Sequence, residues 1–246
     1  ETEGVDDASL KEALELFAAA GSADEVFRAY ENLDKAWKAY LPHAGKAMDV
    51  SSVLPDGGRL LPSGTDVMFD NRTHWMTDVE GGNYRVFAID GSDAQRGDAT
   101  GENMIERYCT GNFLAGQRLI YASASGLPVG RYIFKAVAQK GADGGVIELF
   151  ANDDRSPVTS VKVLRETEVA TDVLDQDLTV GVESGLNNAC QWVSFADVAL
   201  EYQSPYMLLE EAVAASDTLT YGEDKGGALK KAADEARVLL VSGEAR

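Results

Sequence analysis

Trp192-Val193-Ser194-Phe195-Ala196-Asp197-Val198-Ala199-Leu200-Glu201-Tyr202 is the stretch that decides the fold. Trp192, Ser194, Ala196, Val198, Leu200 and Tyr202 recur at every second position, the period at which a β-strand turns its side chains to one face. That register gives all six, Trp192 included, a packed role. Short β-rich runs of the same kind stand at residues 84–89, 104–109, 118–122, 131–138, 146–151, 158–164 and 178–182, punctuated by Gly, Asp and Asn. Strands so closely spaced, with no helical pattern between them, predict an antiparallel β-sandwich or jelly roll over residues 66–203 and exclude a parallel α/β sheet.

On either side of this region the period changes to that of a helix. Residues 1–42 read as a helical hairpin. Ser9 with Glu12 and Ser22 with Glu25 fit capping boxes, and the apolar stripes are Leu10, Ala13, Leu14, Phe17, Ala18 and then Val26, Ala29, Tyr30, Leu33, Trp37, Tyr40. Residues 43–65 are rich in Gly, Pro and Ser and read as a loop-rich connection. Residues 204–246 return to a second hairpin, capped by Ser204 with Pro205 at the first helical position and broken near Tyr221-Gly222. Leu229, Ala232, Ala233, Ala236, Leu239 and Leu240 are expected to face inward on its last helix. The pattern Leu-x-x-Ala on both second helices fits a weak repeat as well as chance similarity of Ala-rich helices. The end of the chain, without a closing helix, reads as a segment of a longer protein.

The 246 residues carry 41 acidic against 22 basic side chains, a net charge of -19. Such a field repels nucleic-acid and anionic lipid surfaces, which argues against both as partners. No apolar run reaches the roughly 18 residues of a membrane span, and no leader peptide is visible ahead of Glu1, so export is permitted by the sequence. Cys109 and Cys190 lack metal-ligand spacing; a disulfide and two separate buried thiols both stay open.

Catalytic signals are few. The two histidines, His43 and His74, stand in no metalloprotease, nucleophile-elbow or phosphate-loop context, and Cys109 reads as a strand residue rather than as a thiol activated by His74. A hydrolase built on a carboxylate pair stays open, since acidic residues are too numerous for sequence to select two. Asp90 to Glu102 fails as an EF-hand loop, with Gln95 where glycine is required and Gly101 where the bidentate Glu belongs. A looser structural Ca2+ site there or at Asn152-Asp153-Asp154 competes with a plain solvated loop; no cofactor is expected. Sugar binding needs an aromatic plate beside polar side chains at the loop ends of a rigid sheet. The candidates are Trp75, which follows the polar Asn71-Arg72-Thr73-His74, and Tyr84, together with Asn152, Asp153, Asp154 and Arg155.

Residues 188–202 resemble the closing strand of jelly-roll domains in Bacteroidetes surface proteins, where a Trp precedes a Phe-Asp-Asn/Asp run. In the same order, Asp66-Val67-Met68-Phe69-Asp70-Asn71 is similar to their opening strand, and Gly126-Leu127-Pro128-Val129-Gly130-Arg131-Tyr132 to their Leu-Pro-x-Gly-x-Tyr turn. Leu149-Phe150-Ala151-Asn152 and Leu178-Thr179-Val180-Gly181-Val182 resemble two further strands. The resemblance implies a galactose-binding-like sandwich akin to carbohydrate-binding modules. Such modules are fused to glycan-processing enzymes or displayed on exported proteins at the cell surface, in the periplasm or outside the cell. The helical hairpins look like spacer modules. Phe195-Ala196-Asp197 departs from the family run by one acidic or amide position, and no family sugar contact is carried over. Pro128 and Gly130 look like turn residues, and Asp197 like a tie from strand to loop. The reading is a non-catalytic glycan-binding domain. The alternative is a structural or protein-interaction module that spaces neighbouring domains without binding sugar.

Overall fold

The computed structural model describes residues 7–55, 75–79, 83–89, 96–109, 111–141, 144–185, 190–218 and 226–242. The resembling segment 66–71, the side chain of Ser9 in the first expected cap, and most of the expected calcium loop lie outside what is described. The chain forms two compact units, one of residues 1–48, 127–131 and 203–246, the other of residues 49–126 and 132–202. Both helical hairpins therefore belong to a single unit rather than to separate flanking segments.

In the helical unit, α1 (Asp7–Ala19) and α2 (Ala23–Tyr40) form the first pair. The second pair is α3 (Pro205–Asp217) and α4 (Gly226–Ser242). The Ser22–Glu25 capping box forms as expected, with Glu25 N donating to Ser22 Oγ at 3.3 Å and Glu25 Oε2 accepting from Ser22 N at 3.1 Å. Ser204 caps α3 by accepting from Met207 N, and its hydroxyl donates to the carbonyl of Ala44. The apolar stripes differ from expectation. Of α2 only Ala29 is buried, while Val26, Phe27 and Tyr30 are exposed, and Leu14 of α1 is exposed as well. On α4 Ala233 is buried, whereas Leu229 and Leu239 are exposed. Two-helix pairs this short have too little facing surface to cover both stripes.

The other unit is a β-sandwich. After a two-residue strand β1 (Met48–Asp49), one antiparallel sheet runs β2 (Asn83–Ala88), β3 (Asn103–Tyr108), β10 (Trp192–Gln203), β5 (Gly130–Lys140), β8 (Arg165–Val173). The second runs β4 (Arg118–Ala124), β9 (Leu178–Ser184), β6 (Ile147–Ala151), β7 (Asp154–Pro157). Phe134 and Phe195 from the first sheet and Leu119, Ile147, Leu149 and Val182 from the second are completely buried and form the core between them. Burying a Leu or Phe side chain contributes about 1.5–3 kcal/mol, so this layer carries the stability of the unit. Tyr132 and Tyr202 pack with ring centroids 5.0 Å apart, and burial pushes both phenols far above their ordinary range, keeping them neutral.

Three expectations are corrected here. Residues 158–164 are not a strand: their backbone meets the sheets at the Val158 N–H, which donates to the Ile147 carbonyl, and at the isolated Lys140–Val161 bridge. The edge strand is instead β8, whose Arg165-Glu166-Thr167-Glu168 start hides its period. Its inner series Val169, Thr171 and Val173 is buried and the intervening positions face water. The third correction concerns β10. Asp197 has a positive φ of 48°, and the buried apolar series changes phase there, from Val193 and Phe195 to Val198, Leu200 and Tyr202. An extra residue at a bulge turns everything before it to the opposite face. Trp192, Ser194 and Ala196 therefore lie on the outer face and not in the sandwich core.

Candidate functional site

Trp75 does not provide the expected aromatic plate. Trp75 is only 8% exposed and packs edge-on against Phe195 with ring centroids 5.6 Å apart, so it is a core residue. Tyr84 stands opposite Arg107 in the β2–β3 register, and its side chain lies outside what is described. Asn152 to Arg155 form the tight β6–β7 connection, with Asn152 at φ 48°. Asn152 Nδ2 donates to the Asp177 carbonyl at 3.0 Å and its Oδ1 accepts from Thr179 N at 2.8 Å, so this side chain clasps the neighbouring strand. Arg155 pairs with Glu183 and donates to the carbonyls of Asn152 and Asp154. Asp153 and Asp154 are exposed. Among the described residues no group of three His, Cys, Asp or Glu side chains converges as a metal site. Cys109 and Cys190 are not joined to each other; both are thiols.

The phase change in β10 builds a different surface. Trp192 stands directly opposite Tyr108 of β3, which puts both aromatic side chains on the outer face. On the other side, Gly141 N donates to the Trp192 carbonyl at 3.0 Å. A Cβ at Gly141 would stand 2.5 Å from Cδ1 and Cε2 of the indole, so only glycine lets the ring lie against the backbone there. Both rings are half-buried. In the next row, Glu106 stands opposite Ser194. β5 runs antiparallel to β10, with Gly141 at Trp192 and Lys135 at Glu201, so two residues in from Gly141 is Gln139 beside Ser194. Ser194 Oγ and Gln139 Oε1 are buried without hydrogen-bond partners, while Gln139 Nε2 reaches only Met104 Sδ at 3.7 Å. An unsatisfied buried polar atom costs about 1–3 kcal/mol, and since Ser194 and Gln139 are themselves buried, a ligand would reach these two atoms only once the side chains above them move. The Gly141→Val variant is expected to displace the indole, seen as a shifted tryptophan fluorescence maximum; an unchanged spectrum would show that the ring does not rest there.

The outer face is covered from this row onward. Ile89, Ala99, Met104, Val137, Leu164 and Ala196 form a small buried cluster on it. Past the roof opens a cleft of about 600 Å³ lined by Lys135, Ala199, Glu166, Glu168, Thr100 and Asp197, among others. Three of its charged groups, Lys135, Asp98 and Asp197, are engaged by neighbouring groups. Lys135 Nζ pairs with Glu201 at 2.7 Å, a bond that raises the ammonium pKa. Asp98 accepts from Glu166 N at 3.2 Å and from Arg165 at 2.6 Å, which together hold its carboxyl below the ordinary range. Asp197 accepts from the backbone N–H groups of Thr100 and Gly101 and from the Thr100 hydroxyl, the strand-to-loop tie that the sequence suggests. Because the folded state lowers the Asp98 pKa, its contribution is present above the ordinary aspartate pKa and is lost as pH falls through the lower folded value. The protection of the Glu166 amide, its exchange rate taken against the intrinsic rate at the same pH, is expected to fall below about pH 4, and Asp98→Asn to remove that change in protection.

Sequence reasoning missed Trp192, Tyr108, Gln139 and Ser194 as a group. The available signal was the pair of apolar series in β10, 193/195 and 198/200/202, which are out of phase by one residue.

No protein-family model matches the chain, and no curated protein matches it. Solved structures match parts of it. A Stig cyclase, Fisc from Fischerella sp. TAU, in complex with a pyrrolidinylidene-indole compound, is 18% identical, covering 65% of this chain and 99% of its own, at a TM-score of 0.47. The CBM22-1–GH10 modules of Clostridium thermocellum xylanase 10B, complexed with xylohexaose, are 11% identical over 65% of this chain and 28% of theirs, with a TM-score of 0.38. TmCBM61 in complex with β-1,4-galactotriose is 17% identical over 52% of this chain and 87% of its own, with a TM-score of 0.36. These are distant likenesses, and the assignment of a β-sandwich rests on the strand pairing described above.

Proposed function

We propose that the β-sandwich binds a glycan without catalysis, at the Trp192 end of the outer face of the first sheet. The observation that supports this most is the pair of half-buried aromatic rings, Trp192 and Tyr108, facing each other on the outer face, with the unpartnered Ser194 Oγ and Gln139 Oε1 buried in the row next to them. A sugar presents an apolar C–H face to an indole and hydroxyls to the polar groups beside it, so one ring and one row of hydrogen-bonding groups suffice to hold and orient it. The proposal includes export of the protein and no cofactor, and the chelator arm of the test below asks whether a structural calcium ion takes part. The test is a glycan array on the purified chain, with calcium and with a chelator, followed by calorimetry on the sugars retained. Trp192→Ala is expected to weaken binding at least about tenfold, the loss of roughly 1.4 kcal/mol. Undiminished binding by a folded Trp192→Ala variant would remove the site from this face.

A second reading has its own observation. Leu14, Val26, Phe27 and Tyr30 of the first helix pair are exposed, as a module that docks neighbouring domains requires. Among the described residues no helix is long and apolar enough to cross a membrane. Silence across the array from folded protein would favour the docking reading.

A further inference from the structure

The outer face of the second sheet, which the Trp192 site does not use, carries two arginines, Arg118 and Arg155, among the carboxylates of Glu148, Glu183 and Asp78. Tyr121, Gly181, Phe150 and Arg155 stand directly opposite one another across β4, β9, β6 and β7 and so share a face. It is the face opposite the buried Ile147, Leu149 and Val182. Gly181 contributes no side chain to the row, and the Arg118 guanidinium lies across it, 5.4 Å from the Tyr121 ring centroid and 5.6 Å from that of Phe150. Arg155 stands 5.3 Å from the Phe150 centroid, and the Phe150 ring is completely buried.

The two arginines differ in their commitments. Arg155 is held by Glu183 and by two backbone carbonyls. Arg118 has no carboxylate partner among the described residues, although two carboxylates stand near its backbone. Glu183, opposite it in register, is engaged by Arg155. Asp78, whose N–H donates to the Arg118 carbonyl, accepts instead from the Tyr121 hydroxyl at 3.0 Å. Arg118 is exposed, so its guanidinium edge can be reached from solvent. Stacking on rings covers the faces of a guanidinium and leaves its N–H edge free, so the fork is oriented before any ligand arrives.

We propose that Arg118 anchors a second binding site that takes a sugar carboxylate, a uronate unit, as a bidentate ion pair. Planar carboxylate matches the planar fork. Ser123 and Thr179, whose hydroxyls lie 2.9 Å apart, stand opposite each other two residues along the same face and provide hydroxyl contacts for the rest of the sugar. The inference shares with the preceding proposal only the class of ligand, and it uses the other sheet.

The test is a calorimetric titration of the full chain with an oligogalacturonate, with a neutral oligogalactose, and with inorganic sulfate. Oligogalacturonate is expected to bind, to bind more weakly as salt rises, and to lose at least about tenfold in affinity in Arg118→Gln. Arg118→Lys, which restores the charge without the fork, is expected to recover only part of that loss. Trp192→Ala is expected to leave uronate binding unchanged, so failure of the Trp192 site and failure of this one give different results. Equal uronate affinity in wild type and a folded Arg118→Gln variant, or sulfate and oligogalacturonate binding alike, would overturn the proposal.

Discussion

Gly97→Ala is expected to destabilise the β-sandwich by about 3 kcal/mol or more, through both a forbidden backbone conformation and a collision. Gly97 has a φ of 51°, in the left-handed region, where an alanine costs roughly 1–2 kcal/mol. A Cβ built there would fall far inside the van der Waals contact distance of the Leu164 carbonyl oxygen and 2.8 Å from Val163 Cγ1. That oxygen is not free to retreat. It accepts from Asp98 N at 2.9 Å, and the Leu164 side chain is fully buried in the cluster with Ile89, Ala99, Met104, Val137 and Ala196. Relief therefore requires the roof over the sheet to shift as a piece. Urea unfolding with an unchanged m-value and a lowered midpoint is the expected result. A loss below about 1 kcal/mol would mean that this segment moves independently of the sheet beneath it.

The second large effect is expected at Asp197. Its carboxylate accepts from Thr100 N, from Thr100 Oγ1 at 3.0 Å and from Gly101 N at 2.9 Å, fastening the roof to the bulge in β10. Hydrogen bonds to a charged group contribute about 1.5–3 kcal/mol each, and removing the acceptor leaves two backbone N–H groups to find water. Alanine at a φ of 48° adds strain that aspartate tolerates better. We expect Asp197→Ala to cost about 2–4 kcal/mol and Asp197→Asn distinctly less, since the amide keeps one acceptor oxygen. Hydrogen exchange should localise the change to residues 96–101. Uniform loss of protection across the sheet, with residues 96–101 no faster than the rest, would show that the tie supports the whole sandwich rather than its roof.

These two positions also explain how far the sequence could be read. The strand runs at 104–109, 118–122, 131–138, 146–151 and 178–182 match observed strands closely, because alternation and turn residues are properties of a few neighbouring residues. Residues 158–164 misled because Val158, Val161 and Val163 look like a strand, whereas β8 looks like a charged loop. An edge strand facing water on one side needs only three inward residues. In the helical unit, spacing located the helices, but it did not determine which stripes were covered, since coverage depends on surfaces brought in from elsewhere in the chain.

The candidate site shows the same limit. Trp75 follows a polar stretch yet is buried against Phe195, a residue far away in sequence. Trp192 reads as a core residue and is turned outward by a bulge five residues further on. Arg155, chosen from a loop, proves to be a partner of Glu183.

Local period and composition were enough to establish the class of this protein: an antiparallel β-sandwich between helical segments, strongly acidic, with no recognisable nucleophile or metal motif. Each of those properties can be read within a window of a few residues or from a simple count. Long-range pairing was needed to learn which face each aromatic occupies, which carboxylates are already engaged, and that Arg118 is not paired with one of them. The reason is that a side chain's face depends on strand register, and its electrostatic partners on strand order, and neither is set by the residues next to it in the chain.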